Sequence, residues 1–244
     1  MRNDLVINKQ GLLIFGGEAS DDYGMVIAEA PAFDRPIRKG NIYNVPGRSG
    51  SILLPEDAFE DTLREYRVWL TKDAGEDLAA AVNAVSAWLL SKTGYNRLED
   101  NFEPDVYRLA YFSSAPTFTN GFMQYGETTL AFTCRPERFL KSGEQPIDAS
   151  TPLTIYNPTR FNAKPLLHIE ASGTVNIAIS GRVMTATVSD YINIDCDTMN
   201  AYREPYENKN SDINGVFAEL VPGDNSINIT GATAATLTPR YYTI

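Results

Sequence analysis

Apolar positions in this chain follow two different periods. Leu78, Val82, Val85 and Leu89 recur at helical spacing, and Ala81 and Trp88 widen the stripe. Asp73 and Glu76 precede it like a capping box headed by aspartate. Lys92 falls in the last turn, and Gly94 follows where a C-cap glycine belongs. The pattern predicts one principal helix over about residues 75–92. Elsewhere the period is two. Val106–Ser113, with Tyr107, Leu109 and Tyr111 on one face, and Gly126–Thr133 both predict strands. One stretch fits either element. Phe59, Leu63, Tyr66 and Leu70 suit a helix, while Tyr66, Val68 and Leu70 suit a strand, and periodicity alone slightly favours the helix.

The stretch Lys141–Pro152 holds turn formers and small polar residues with little to bury, so it reads as a linker. It would separate an N-terminal domain (residues 1–140) from a C-terminal domain (residues 153–244), with the linker over residues 141–152. Past it come short strands at Pro165–Glu170, Thr174–Ile179, Arg182–Val188 and Tyr191–Asp195, turned by Gly173 and Ser180-Gly181. Val175, Ile177 and Ile179 would face a core, and the spacing suggests an antiparallel β-sandwich. Structural turns are expected at Gly24, at Pro46-Gly47 with Gly50, and at Pro222-Gly223. There proline presets φ and glycine accepts the positive φ other residues resist.

Charge changes this picture by exclusion. Acidic residues number 31 against 21 basic, and a net charge of −10 disfavours a phosphate-neutralising surface. The only cysteines, Cys134 and Cys196, fall in different expected domains, so no disulfide framework forms and a reducing compartment is expected. The N-terminus lacks a signal peptide's apolar stretch, and no run approaches the ~18 apolar residues of a membrane span. A soluble, cytosolic chain is expected.

Candidate chemistry is sparse. His168, the only histidine, sits in a strand pattern, and no Gly-x-Ser-x-Gly elbow supplies a nucleophile for it. It is expected to be hydrogen-bonded on a sandwich face. Asp195-Cys196-Asp197 offers too few oxygen ligands for calcium. Glu99, Asp100, Glu103 and Asp105 read as a wet loop rather than a carboxylate pair. Two cysteines and one histidine cannot fill a Cys/His zinc site without carboxylates, and no phosphate-cradling glycine motif occurs. The expectation is a protein that is not an enzyme, with no catalytic residue, metal or cofactor.

The ordered succession of weak motifs carries a resemblance. Asp22-Tyr23-Gly24-Met25, Pro46-Gly47-Arg48-Ser49-Gly50, Trp88-Leu89-Leu90, Gly94 through Asp100, and Tyr107-Arg108-Leu109-Ala110 come first. Phe132 through Phe139, Tyr191 through Asp195, Pro222-Gly223-Asp224-Asn225 and Pro239-Arg240-Tyr241-Tyr242 complete it. Together they resemble the distal tail protein family of long-tailed phages. Ser49 stands where an acidic residue is common, and the end is Tyr-rich rather than Trp-bearing. The resemblance implies a mainly β protein with one principal helix: an N-terminal β-sandwich or belt domain and a C-terminal galectin-like antiparallel β-sandwich. It also implies a strand over Leu63–Leu70. In function it implies a homo-oligomer, a hexameric ring at the virion tail tip or baseplate, assembled in the bacterial host cytoplasm. That ring would join the tail tube protein and tape-measure protein to a tail-associated hub or adhesion protein, and DNA would pass its channel without specific binding. Two other classes stand beside this reading. A carbohydrate-binding module would use Tyr191, Tyr202 and Tyr206 as sugar contacts, though each could equally be a protein contact. A cell-wall hydrolase lacks its reactive constellation.

Overall fold

The chain divides into two units, Met1–Arg138 with Ile244, and Phe139–Thr243. The computed structural model describes residues 11–71, 77–114, 117–121, 125–204 and 207–244. The predicted capping pair Asp73 and Glu76 lies outside the described residues, as does Tyr206.

The first unit opens with β1 (Leu13–Phe15), β2 (Glu18–Ala19), β3 (Met25–Ile27), β4 (Arg38–Tyr43), β5 (Ile52–Phe59) and β6 (Thr62–Thr71). After these come α1 (Leu78–Ser91), β7 (Asn96–Asp100), β8 (Val106–Phe112), β9 (Thr119–Gly121) and β10 (Tyr125–Leu140). One curled half-barrel sheet runs in the order β2-β1-β7-β8-β10-β6-β3, with β9 added on β10. Residues 62–71 are a strand, as the resemblance implies and against the slight lean of periodicity. Arg64, Tyr66, Val68 and Leu70 alternate inward along it, and ten residues pair with β10, from Thr62 opposite Cys134 to Thr71 opposite Tyr125. Leu63, which a helix would have buried with Tyr66 and Leu70, is exposed.

Helix α1 covers the inward face of this sheet. It starts three residues later than its pattern predicts, because Asp77 takes the capping role and its Oδ1 accepts the Ala79 amide at 3.1 Å. It ends at Ser91, with Lys92 extended and Gly94 at a φ of 70°. Val85, Trp88 and Leu89 are buried, with Leu78, Ala81 and Val82 partly so, which is the predicted stripe. Trp88 is the keystone of this contact: its Nε1 donates to the Phe15 carbonyl at 3.1 Å. Its ring stacks on Tyr23 at 4.7 Å between centroids and meets Phe15 edge-on at 6.5 Å. Phe132 collects Phe15, Phe112 and Tyr66 around it at centroid distances of 4.9, 5.3 and 6.0 Å.

Gly24, between the short 3₁₀ helix Ser20–Tyr23 and β3, shows why glycine is needed there. Its φ is 67°, and a Cβ would lie 2.5 Å from the Thr71 carbonyl oxygen. Gly24→Ala is expected to destabilise the first unit by at least ~1–2 kcal/mol, the cost of the left-handed conformation alone. Thermal unfolding checks this, and an unchanged midpoint would refute it.

The second unit contains β11 (Ile147–Asp148), β12 (Leu153–Asn157), β13 (Leu166–Glu170), β14 (Gly173–Ile179), β15 (Arg182–Val188) and β16 (Tyr191–Asp195). It continues with β17 (Asn200–Arg203), β18 (Glu207–Asn208), β19 (Ile213–Gly215), β20 (Gly223–Thr230), β21 (Ala234–Thr238) and β22 (Tyr242–Thr243). Two sheets, β11-β21-β13-β16-β17-β18 and β12-β20-β14-β15-β19, share one core. Val175, Ile177 and Ile179 point inward with Ile227 and Ile229 of the same sheet, and Leu167, Ile169, Ile192, Ile194 and Leu237 come from the other. This is the predicted antiparallel sandwich.

Residues 141–152, read from sequence as a linker, are built into this unit. Ile147 and Asp148 pair with β21, Ala149 is buried, and its amide donates to Ala235 at 2.8 Å. Gly143 accepts the Arg240 amide at 2.8 Å. At Pro222-Gly223 the turn is secured by buried Asn225, whose Nδ2 donates to the carbonyls of Val221 and Gly223, both at 2.8 Å.

Candidate interaction surface

Among the described residues, strands β4 and β5 pair only with each other, forming a hairpin outside the three larger sheets. Its loop is a type II turn in construction. Pro46 and Gly47 are the central residues, Gly47 has a φ of 80°, and the Arg48 amide donates to the Val45 carbonyl at 3.2 Å. Gly50, also at a φ of 80°, turns the chain again, and Ser51 Oγ donates to Asn44 Oδ1 at 2.6 Å. The tip is therefore shaped by its own sequence.

What this hairpin exposes is unusual. Ile42 is 69% exposed, Leu53 60%, Leu54 53% and Tyr43 53%. Cross-strand register sorts the side chains. Tyr43 lies opposite Ile52 and Asn41 opposite Leu54 on one face, while Ile42 lies opposite Leu53 and Gly40 opposite Pro55 on the other. Both faces are apolar from Ile42 and Tyr43 to Ile52–Leu54, and nearer the root polar side chains join the apolar Ile37 and Phe59. There Asn41 Nδ2 donates to Glu56 Oε1 at 3.3 Å, and Arg38 pairs with Asp57 at 3.3 Å beneath the Phe59 ring. A lone two-stranded hairpin is marginal in water, and contiguous exposed apolar patches mark interaction sites.

The segment leading into the hairpin continues from β3, whose last pair with β6 is Ile27 opposite Val68. The Ala28 amide donates to Arg67 at 2.8 Å and the Glu60 amide to Ile37 at 2.9 Å. Pro31 and Pro36 between them have no N–H to offer, a common guard on a sheet edge. Arg64 reaches out to the Ala32 carbonyl, tying this strap to the interior.

That interior holds the charged cluster, and here the sequence reading needs correcting. Asp100 and Glu103 are not in a wet loop: the Asp100 side chain is fully buried and that of Glu103 nearly so. Asp100 Oδ2 accepts from Tyr66 Oη at 2.6 Å and Arg64 at 2.9 Å, and Oδ1 accepts the amides of Phe102 and Glu103 at 2.9 and 3.0 Å. Glu103 pairs with Arg108, with Arg138 at 2.6 Å and with Arg64 at 3.6 Å. Burial works to raise the pKa of Asp100, but the Tyr66 hydrogen bond and the Arg64 guanidinium outweigh it and hold the carboxyl below its ordinary value. Burial is likewise outweighed at Glu103 by the Arg108, Arg138 and Arg64 charges. Both carboxylates of the cluster are paired, and among the described residues the buried Arg138 Nε alone is left without a hydrogen-bond partner, so the cluster chiefly fixes structure. Its signal was present in the sequence: Arg64 and Arg108 occupy inward positions of alternating strands, where a charge demands a partner.

The second unit places its named residues on a polar sheet face. His168 Nδ1 lies 2.8 Å from Asn193 Oδ1, its Nε2 is 3.7 Å from Glu170 Oε1, and its ring is 5.5 Å from Tyr191. The Arg203 guanidinium sits 5.0 Å over the Tyr191 ring. These contacts leave Tyr191 less surface for stacking a sugar. Tyr202, opposite Asn193, is partly buried. Asp195 accepts Arg240 at 2.7 Å and the Asp197 amide at 2.9 Å, and Asp197 faces Lys164 at 3.3 Å. Among the described residues no group of His, Cys, Asp and Glu could hold a metal ion. Nor is any described helix long and apolar enough to cross a membrane. Cys134 and Cys196 are buried and unpaired, one in each unit. Burial pushes both thiols up to about 12, so neither is a thiolate nucleophile at neutral pH.

No family model and no curated protein matches the sequence. Solved structures do match the fold. The SPP1 Dit protein, described as a paradigm of the hub adsorption apparatus in phages infecting Gram-positive bacteria, superposes with a TM-score of 0.73 at 13% identity. The match covers 93% of this chain and 96% of that one. A chain of the phage p2 baseplate in its activated conformation with strontium gives a TM-score of 0.55 at 10% identity, over 88% of this chain and 89% of that one. The calcium form of that baseplate gives the same values. This chain has the fold of those phage proteins across nearly its whole length.

Proposed function

We infer that the chain is a distal-tail-type structural hub of a phage tail tip or baseplate, closing a hexameric ring through its first unit. One observation carries this reading: the β4–β5 hairpin, whose apolar faces are open to water in the single chain and call for a partner. The fold likeness to a hub adsorption protein supports the kind of assembly. Heterologous contacts that close by rotation give rings and need two unlike patches on each copy. The second patch is on the same unit, where Leu63, Trp69, Tyr95 and Tyr111 are exposed.

The ring would join a tail tube protein and a tape-measure protein to an adhesion protein, in a virion tail assembled in the bacterial cytoplasm. An acidic chain suits a channel that DNA crosses without sticking, since like charge lowers affinity for phosphate. The role is scaffolding rather than catalysis, with the second unit as a galectin-like module. Purified full-length protein is expected to show six-fold mass in native mass spectrometry, falling towards monomer on dilution. A monomer at every concentration would overturn the ring.

A further inference from the structure

We propose that Asn214, on β19 of the second unit, is a site of spontaneous covalent modification that converts it to aspartate and isoaspartate. The proposal concerns the second unit alone and stands apart from the ring reading. The Gly215 amide gives up its proton, and its nitrogen bonds to Asn214 Cγ. The Cγ–Nδ2 bond then breaks and ammonia leaves, closing a succinimide. Water opens that ring. Addition at the side-chain carbonyl yields aspartate, and addition at the main-chain carbonyl yields isoaspartate, with the chain rerouted through the former side chain. Water is the one co-reactant, and no electron is transferred.

The fold leaves both reacting groups free. Two asparagines precede a glycine, Asn120 and Asn214, and glycine has no Cβ to hinder ring closure. The Val216 amide donates to the Val183 carbonyl at 3.2 Å, and Gly215 lies opposite Met184. Bonded and non-bonded pairs alternate along an antiparallel ladder, so Asn214 is bonded to Thr185 and Gly215 turns its N–H away from β15. Among the described residues nothing accepts that N–H, and Gly215 is exposed at a φ of 114°. Asn214 is exposed too. Its main-chain carbonyl accepts from Thr185 Oγ1 at 3.5 Å, and among the described residues no hydrogen bond holds its side-chain amide. Asn210 and Asn225, each followed by serine, are held instead. Asn210 Oδ1 accepts the Ala201 amide at 2.6 Å and its Nδ2 donates to Asn200 at 2.7 Å, while Asn225 Oδ1 accepts from Ser180 Oγ. Ring closure needs Asn214 to leave its extended geometry. Strand β19 is three residues long at the edge of its sheet, so a brief local opening suffices. Isoaspartate then adds a main-chain atom and a negative charge opposite Thr185, and the ladder with β15 loses register. Gly215 and Val216 wall a cavity of about 360 Å³ with Met199, Phe217 and Lys164, so that cavity changes shape with them.

The test stores the full chain at neutral and at alkaline pH and follows each asparagine by mass spectrometry of its peptides. Isoaspartate is read separately, by enzymatic methyl transfer to its carboxylate. Conversion at Asn214 is expected to outpace Asn210 and Asn225 at least tenfold, and to run within about tenfold of its rate in the urea-denatured chain. It is expected to accelerate as pH rises, since the Gly215 nitrogen must lose its proton to attack. Asn214→Gln is expected to block the reaction at an unchanged thermal midpoint, because the side chain is exposed. Conversion no faster than at Asn225 would overturn the proposal. So would a folded chain that converts Asn214 far more slowly than the denatured one, because the ladder would then protect it. Hydrogen exchange over residues 182–188 and 213–216 is expected to rise in the isoaspartate form. Asn214→Asp adds the charge without the extra main-chain atom and is expected to keep wild-type exchange. Equal loosening by Asn214→Asp would assign the effect to charge and overturn the register loss.

Discussion

Asp100→Ala is expected to destabilise the first unit by about 3–5 kcal/mol, the range for removing one partner of a buried charge pair. Four donors lose their acceptor together: the Tyr66 hydroxyl, the Arg64 guanidinium and the amides of Phe102 and Glu103. The buried Arg64 keeps only the Ala32 carbonyl, the Tyr66 hydroxyl and the Glu103 carboxylate at 3.6 Å, so its desolvation is then less well compensated. Asp100→Asn keeps the shape and loses the charge, and is expected to cost less. The folded-state pKa of Asp100 is depressed, so its contribution is present above the unfolded carboxylate value of about 4. It is lost as pH falls through the lower folded value, and Glu103 acts with the same sign. Chemical denaturation at neutral and acid pH measures both effects. A loss below ~1 kcal/mol on Asp100→Ala would mean the cluster contributes no more than an exposed pair.

Trp88→Ala carries the second large effect, again about 3–5 kcal/mol for truncating a buried large aromatic. It removes the bond to the Phe15 carbonyl, the Tyr23 stack and the Phe15 edge contact, all of which hold α1 to the sheet. The Phe15 carbonyl would also lose its donor in a buried site. Trp88→Phe retains part of the packing without the N–H and is expected to fall between wild type and alanine. Thermal unfolding of the full chain reads the difference. Equal midpoints for Trp88→Ala and wild type would place the helix's anchoring elsewhere.

Where one face of an element is buried and the other wet, the sequence was readable. The stripe on α1 and the alternation at Val175, Ile177 and Ile179 follow directly from that asymmetry. The element at 62–71 was not, because an inward arginine broke its apolar period and a helical alignment fitted slightly better. Arg64 is inward because Asp100, 36 residues away, meets it there, and a one-dimensional window cannot contain both. Asp100 and Glu103 misled for the same reason: acidic residues near a turn look solvated until their cations arrive from β6, β8 and β10. The candidate surface was legible as a turn and illegible as a hairpin. Pro46-Gly47 announced the reversal, but Ile52-Leu53-Leu54 lacks the alternation that marks a half-buried strand.

The two sequestered sulfur atoms make the protein its own stopwatch. A small alkylating reagent can reach the fully buried Cys134 only when the first unit opens, whereas Cys196, 3% exposed, lines a surface pocket with Lys164 and Met199 and reports smaller openings of the second. Peptide mapping after timed exposure would therefore give two independent opening rates from one sample. Comparing them with and without assembly would tell which half of the polypeptide gains permanence from its neighbours.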